Sequence, residues 1–244
     1  VKVKLTLEYD GTDFAGWQVQ PKQRTVQGTL EAALYRLVGR EVRVEGAGRT
    51  DAGVHALGQV ASLKLETAIP AERLAQALNP LLPDDVRVLR SEAVDEDFHA
   101  RFSATGKVYR YVILLRAAQS PLHRHRAWQL GTKVDVGRMA EALPLLVGTH
   151  DFRAFCAANG SAATTVRTIR AAKITTEGEF VTLEFCGNGF LYHMVRIMLG
   201  ALFAVGRGKV DPSALTRALS SGCRPLAFIT APAHGLYLVS VEYN

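Results

Sequence analysis

Apolar and polar positions alternate at Val3, Leu5, Leu7 and Tyr9, and Asp10-Gly11 ends the run, which predicts a strand entering a turn. Leu30, Ala33, Leu34 and Leu37 recur at helical spacing, with Gly39 placed where a helix stops. Two strand-like runs follow, Val42 to Gly46 and Gln59 to Leu65. Pro70 opens a short helix through Leu78, and Val86 to Val94 reads as a further strand. The predicted order is β-α-β-β-α-β.

The second half repeats it. Val108 to Leu115 is rich in β-branched and aromatic residues, and Asp135 is placed to cap a helix through Val147. Val166 to Ile174 and Phe180 to Cys186 form a strand pair around Glu177-Gly178. Phe190 to Val205 is a buried helix, and Leu236 to Tyr243 a closing strand. A helix capped by Asp211, with Pro212 in its first position, is inserted before that strand. The expected class is α+β: two tandem ferredoxin-like modules, residues 1–100 and 101–244, whose antiparallel sheets meet around a central cleft. That architecture serves many functions and names none.

Composition narrows the picture. The chain has 244 residues, enough for two cores, and 48% hydrophobic against 21% charged residues is a globular balance. Cys156, Cys186 and Cys223 are widely spaced and suggest neither metal ligands nor a disulfide framework, so a reducing, cytoplasmic setting is expected. The opening Val-Lys-Val-Lys-Leu-Thr-Leu lacks the apolar core of a signal peptide. The most apolar stretch, Phe190 to Val205, is short of the roughly 20 residues a membrane span needs and contains His193 and Arg196, so no membrane partner is expected. Net charge is +6, with cations dense at His123-Arg124-His125-Arg126. A basic surface favours polyanions through Coulomb attraction and counterion release, and it also serves plain solubility.

Candidate chemistry gathers in GAGRTDAGVHA, Gly46 to Ala56, between two predicted strands. Three glycines allow close backbone approach, and Arg49, Asp51 and His55 project from a short loop on a sheet scaffold. The same loop also reads as a polar turn whose aspartate bonds local amides. One Asp and one His make no metal ligand set, and no Lys-Ser or Lys-Thr pair follows the glycines to bind phosphate.

Arg196 stands in an otherwise apolar helix, three positions after His193 and so on the same face. Buried, its charge needs a partner such as Asp51; alternatively it reaches the surface or caps carbonyls. Tyr109 and Tyr111 share one strand face, where the core is their ordinary place. In DFHARFSAT, Asp97 to Thr105, Phe98 and Phe102 interleave with His99 and Arg101, which suits distorted RNA and equally a linker packed on a domain.

Together these segments resemble the TruA-type family of tRNA pseudouridine synthases. YDGTDFAGWQVQP (Tyr9 to Pro21) and TVQGTLEAAL (Thr25 to Leu34) are similar to the family's opening, and GAGRTDAGVHA to its catalytic loop. DFHARFSAT followed by KVYRY resembles its mid-chain signature, and FLYHMVRIMLG (Phe190 to Gly200) with GLYL (Gly235 to Leu238) its closing ones. The resemblance implies a cofactor-free isomerase, with no metal, that turns uridine into pseudouridine at positions 38 to 40 of the tRNA anticodon arm. By it, Asp51 is the nucleophile, Arg49 enters the RNA as the base flips out, Tyr109 packs on the flipped uracil, and Arg196 is the basic partner of the aspartate. It places His55, Phe98, His99, Ala100, Arg101, Phe102 and Leu236 at the substrate, makes the cleft RNA-binding, and implies a homodimer. One stretch departs: at Asn159 to Ala163, relatives often carry a basic residue that is absent here. Two other readings are an RNA-binding or chaperone module without catalysis, and a metal-dependent RNA hydrolase using His55, His99 or the His123 cluster.

Overall fold

The computed structural model describes residues 1–131, 133–158 and 162–244. It divides into two units, residues 1–105 with 237–244, and residues 106–236. The expected division at residues 100 and 101 falls just before the first unit's main segment ends, and the closing strand groups with the first unit. Both units mix helices with strands, the expected α+β class.

In the first unit, β1 (Lys2–Tyr9) lies between and antiparallel to β3 (His55–Lys64) and β4 (Val86–Ala93). Its side chains alternate in burial as the sequence pattern predicts. β3 begins four residues before the predicted run. It pairs with β1 on one edge, and with β2 (Glu45–Gly46) and β10 (Leu236–Tyr243) on the other. Nearly all its side chains are buried, which erases the alternation that marks a half-exposed strand.

β2 is only two residues long although Val42 and Val44, ahead of it, are buried. Helix α1 (Val26–Val38) supplies the reason. Its Glu31 accepts from Val44 N–H at 3.1 Å and its Gln27 donates to Val44 C=O at 3.0 Å, so helix side chains satisfy the backbone that a ladder otherwise would. Thr25 caps α1 by accepting from Gly28 N–H, and left-handed Gly39 ends it. The helix opened by Pro70 is a 3-10 turn, then α2 (Leu74–Leu78), then a second 3-10 turn.

In the second unit, the sheet order is β5 (Ala104–Leu115), β9 (Phe180–Gly187), β8 (Val166–Glu177), β7 (Gly148–Asp151), antiparallel throughout, and β6 (Trp128–Leu130) runs parallel to β5. β6 and β7 are too short to leave a periodic signal. Asp135 caps α3 (Val136–Ala142) as expected, accepting from Arg138 N–H. α4 (Met194–Gly206) is the buried helix, but it starts four residues late, because His193 adopts a left-handed backbone at φ 59°. His193 thus lies outside the helix, and helical spacing does not set its relation to Arg196. α5 (Ser213–Ser221) also starts later than expected, with the Asp211 carbonyl accepting from Ala214 N–H.

Candidate active site

The loop between β2 and β3 is held from several sides within the first unit. Trp17 N–H donates to Thr50 C=O at 3.0 Å, and Gly53 N–H to Phe14 C=O at 3.3 Å. Gly16, at φ 98°, makes this crossing possible: a Cβ there stands 2.6 Å from Thr50 O. From the sheet, Gln59 Nε2 donates to Gly48 C=O at 2.9 Å, and Tyr9 Oη shares a hydrogen bond with Thr50 Oγ1 at 2.8 Å. Burial pushes the Tyr9 phenol up to about 12, against hydrogen bonds from Thr50 and Gln59 that lower it. It stays a neutral strut. Val54 N–H closes a turn onto Asp51 C=O at 3.1 Å. Asp51 is left half-buried and Arg49 exposed, with its Nε donating to Gln18 Oε1 at 3.1 Å.

His55 occupies a different place, 1% exposed. Its Nδ1 accepts from Gly11 N–H at 3.0 Å, and its ring stacks on Tyr237 with centroids 4.7 Å apart. The same nitrogen lies 3.0 Å from Asp10 Oδ1, an ion pair only if the ring takes a proton and gives up Gly11. Ala100 is wholly buried, its N–H donating to Ser62 Oγ and its C=O accepting from Tyr243 Oη. Both residues, expected at the substrate, stand behind the surface and support it. Around Ala100, Ala47 and Val60 form a small core with Phe98 and Tyr243 against it, so the 97–102 turn rests on the root of the Asp51 loop.

From that turn, Phe102 projects with 75% of its surface exposed. His99 lies against its ring at 4.4 Å and the Arg101 guanidinium 5.5 Å from its centroid. Ser103 fixes the turn, accepting from His99 N–H through Oγ and donating its own N–H to His99 C=O. The result is a braced aromatic platform with a guanidinium beside it, a form suited to stacking on an unpaired base.

Tyr109, Arg196 and Leu236 belong to the second unit. Tyr109 is 8% exposed, opposite Phe185 across the β5–β9 ladder and edge-on to Phe190 at 4.9 Å. Arg196, on α4, is half-buried; its Nε donates to Ala231 C=O at 2.7 Å and its own C=O accepts from Ala231 N–H. Tyr111 Oη donates to the neighbouring Pro232 C=O at 2.8 Å. Burial raises the Tyr111 phenol strongly, and the nearby Arg196 charge opposes the rise. Leu236 is buried where β10 begins.

The sequence reading assigned no role to Tyr9, Gln18, Gln59 or Tyr111. Tyr9 and Gln18 lie in the quoted opening segment and Tyr111 in KVYRY, but only the fold brings them to the loop or to Arg196. Residues 159–161 of the stretch that lacks a basic residue are outside the described residues. Among the described residues, no three His, Cys, Asp or Glu side chains gather as a metal site, and no helix is long and apolar enough to cross a membrane.

The family model described as "tRNA pseudouridine synthase" matches residues 6–103 and 142–244. The tRNA pseudouridine synthase A of Acetivibrio thermocellus is 48% identical over 241 residues, covering 99% of this chain and 99% of that protein. This chain is also similar to the proteins of the same name from Bacillus pumilus, at 46% identity covering 100% of both chains, and Lacticaseibacillus casei, at 48% identity covering 98% of both.

Proposed function

Because the chain belongs to the tRNA pseudouridine synthase family, isomerases that convert uridine in tRNA to pseudouridine, we propose how it acts and on which uridines. The proposed substrate is the anticodon arm at positions 38 to 40, with Asp51 as nucleophile. The observation that carries this is the loop of residues 46–56, pinned on both flanks while Asp51 stays half-buried and Arg49 exposed. A nucleophile on a braced loop keeps its aim without reorganising.

The reaction breaks the bond from N1 of uracil to C1′, turns the base, and forms a bond from C5 to C1′. C5 loses its proton and N1 gains one, so atoms and electrons balance without redox cofactor or metal. Flipping the base from its stem costs a few kcal/mol. In this proposal Arg49 offsets part of that by filling the vacated stack and meeting phosphate, and Tyr109 packs on the flipped uracil. Arg196 is, in the same proposal, the basic partner of the aspartate. His55, Ala100 and Leu236 act from behind the surface, while Phe98, His99, Arg101 and Phe102 form the RNA-facing turn. The homodimer, the cytoplasmic setting and two ferredoxin-like modules around an RNA-binding cleft belong to the same proposal.

The test is tritium release from [5-³H]uridine-labelled, unmodified tRNA with EDTA present, followed by mapping of the pseudouridines formed. Release with product confined to positions 38 to 40 supports the reading; product elsewhere overturns the assigned positions, and no release from folded protein overturns the isomerisation. A second expected result concerns the turn. Phe102→Ala removes a stacking face worth ~1–3 kcal/mol per base, so KM for tRNA rises roughly five-fold or more. Its exposed ring supports no core, and the denaturation midpoint stays unchanged. A fall in the midpoint with KM intact contradicts the stacking role.

A further inference from the structure

Between β5 and β6 the chain leaves the sheet at Arg116 and returns at Trp128 to the strand it left, since β6 pairs with β5 at Ile113, Leu114 and Leu115. One side chain braces the excursion. Gln129 Oε1 accepts from Ser120 N–H at 2.8 Å, while its Nε2 donates to Arg116 C=O at 3.0 Å and Ala118 C=O at 2.7 Å. Ser120 is buried and its Oγ meets His123 Nδ1 at 2.9 Å. The His123 carbonyl accepts from Arg126 and Ala127 N–H, and its ring lies edge-on to Phe180. The loop is a built, closed structure.

Its outward face is cationic. Arg124, His125 and Arg126 are exposed, residues 116–131 contain no Asp or Glu, and half-exposed Arg116 faces Glu179 at 4.0 Å, so Arg124 and Arg126 carry the positive charge of this face. Arg124 Nε rests on His125 Nε2 at 3.1 Å, and of its remaining donors Nη1 meets Pro121 C=O. Guanidinium forks suit phosphate oxygens, and a frame already ordered lowers the entropy lost on binding. Trp128, next to the loop in sequence, is turned inward against Tyr111 and Phe203, so its indole offers no face for base stacking. Residues 116–127 contain no Phe, Tyr or Trp, so exposed guanidiniums dominate the face, which favours phosphate contacts along a duplex backbone over base stacking along a single strand. Along β5, Tyr109 and Leu115 are six residues apart, which at ~3.3 Å per residue sets the loop ~20 Å from Tyr109.

We propose that residues 116–126 form a second tRNA-binding surface, gripping phosphates of a base-paired stem about 20 Å from the uracil held at Tyr109. The proposal rests on the tRNA isomerase reading above. On it, whole tRNA is held at two separated places, and the loop contributes affinity without touching the reacting base.

The test compares wild type with Arg124→Glu/Arg126→Glu and Arg124→Lys/Arg126→Lys, measuring tRNA binding across a KCl series together with steady-state tritium release. For the Glu pair, KM rises ten-fold or more while the loss stays out of kcat. The slope of log Kobs against log salt flattens by about 1.8, as two lost phosphate contacts on a duplex require. The Lys pair keeps the slope, because it keeps the charges. Unchanged KM and slope in the Glu pair overturn the proposal, as does a Lys pair as damaged as the Glu pair. If wild type binds tRNA with the expected slope but releases no tritium, the isomerase reading fails and the surface stands.

Discussion

Asp51→Asn is expected to lower tritium release by roughly 10³-fold or more while tRNA affinity stays within a few-fold. The substitution keeps the side chain's size and removes the carboxylate, and with it the proposed nucleophile. The loop's backbone is held by Trp17, Phe14 and Gln59, and Tyr9 holds the Thr50 hydroxyl, bonds that do not involve the Asp51 carboxylate. Arg49→Ala should behave differently. The guanidinium is exposed and held only lightly by Gln18, so its loss weakens binding of the flipped complex as well as the rate. Single-turnover rates and filter binding on the same tRNA separate the two. Equal loss of binding in both variants contradicts this division of labour.

Gly200→Ala is expected to destabilise the protein by about 3 kcal/mol or more. The added Cβ stands 1.8 Å from Ile229 O and 2.7 Å from Ile229 C. Both are backbone atoms, so no rotamer change relieves the clash. α4 and the 229–231 segment must separate. Arg196 sits one turn earlier on that helix, and both its bonds to Ala231 cross the same contact. Gly131→Ala is the matched control, since its Cβ meets nothing within 4 Å; it should stay within about 0.5 kcal/mol. Urea denaturation checks the pair. A Gly200→Ala midpoint equal to the control's shows that the helix contact yields easily.

Much of this was legible because half-buried strands write their faces into the sequence. β1 alternates, and β5 and β9 carry Tyr109, Tyr111, Leu183 and Phe185 inward as the pattern predicts. β3 hid its start because both its faces are covered, and β2 shrank because Gln27 and Glu31 replace its ladder. Asp51 and Arg49 could be singled out from glycine spacing and charge within one loop. Burial could not: nothing local distinguishes exposed Phe102 from buried Ala100, or Arg49 from His55. The groups that brace the loop, Tyr9 to Thr50 and Gln18 to Arg49, meet across 41 and 31 residues of chain, a distance that local patterns do not report.

β10 carries a consequence for synthesis. Within the first unit, Tyr237 stacks on His55, Tyr243 Oη bonds Ala100, and Gly58 packs on Val239 O. Both the rear of the Asp51 loop and the base of the 97–102 turn lean on residues that the ribosome delivers only after the whole second unit. At ~5–20 residues per second, that wait is on the order of ten seconds. During it the nascent first unit lacks one sheet neighbour and offers the edge of β3 to other chains. A fragment stalled before β10 thus carries the Asp51 loop without its backing. Translation through β10 is in this sense an assembly checkpoint for the first unit.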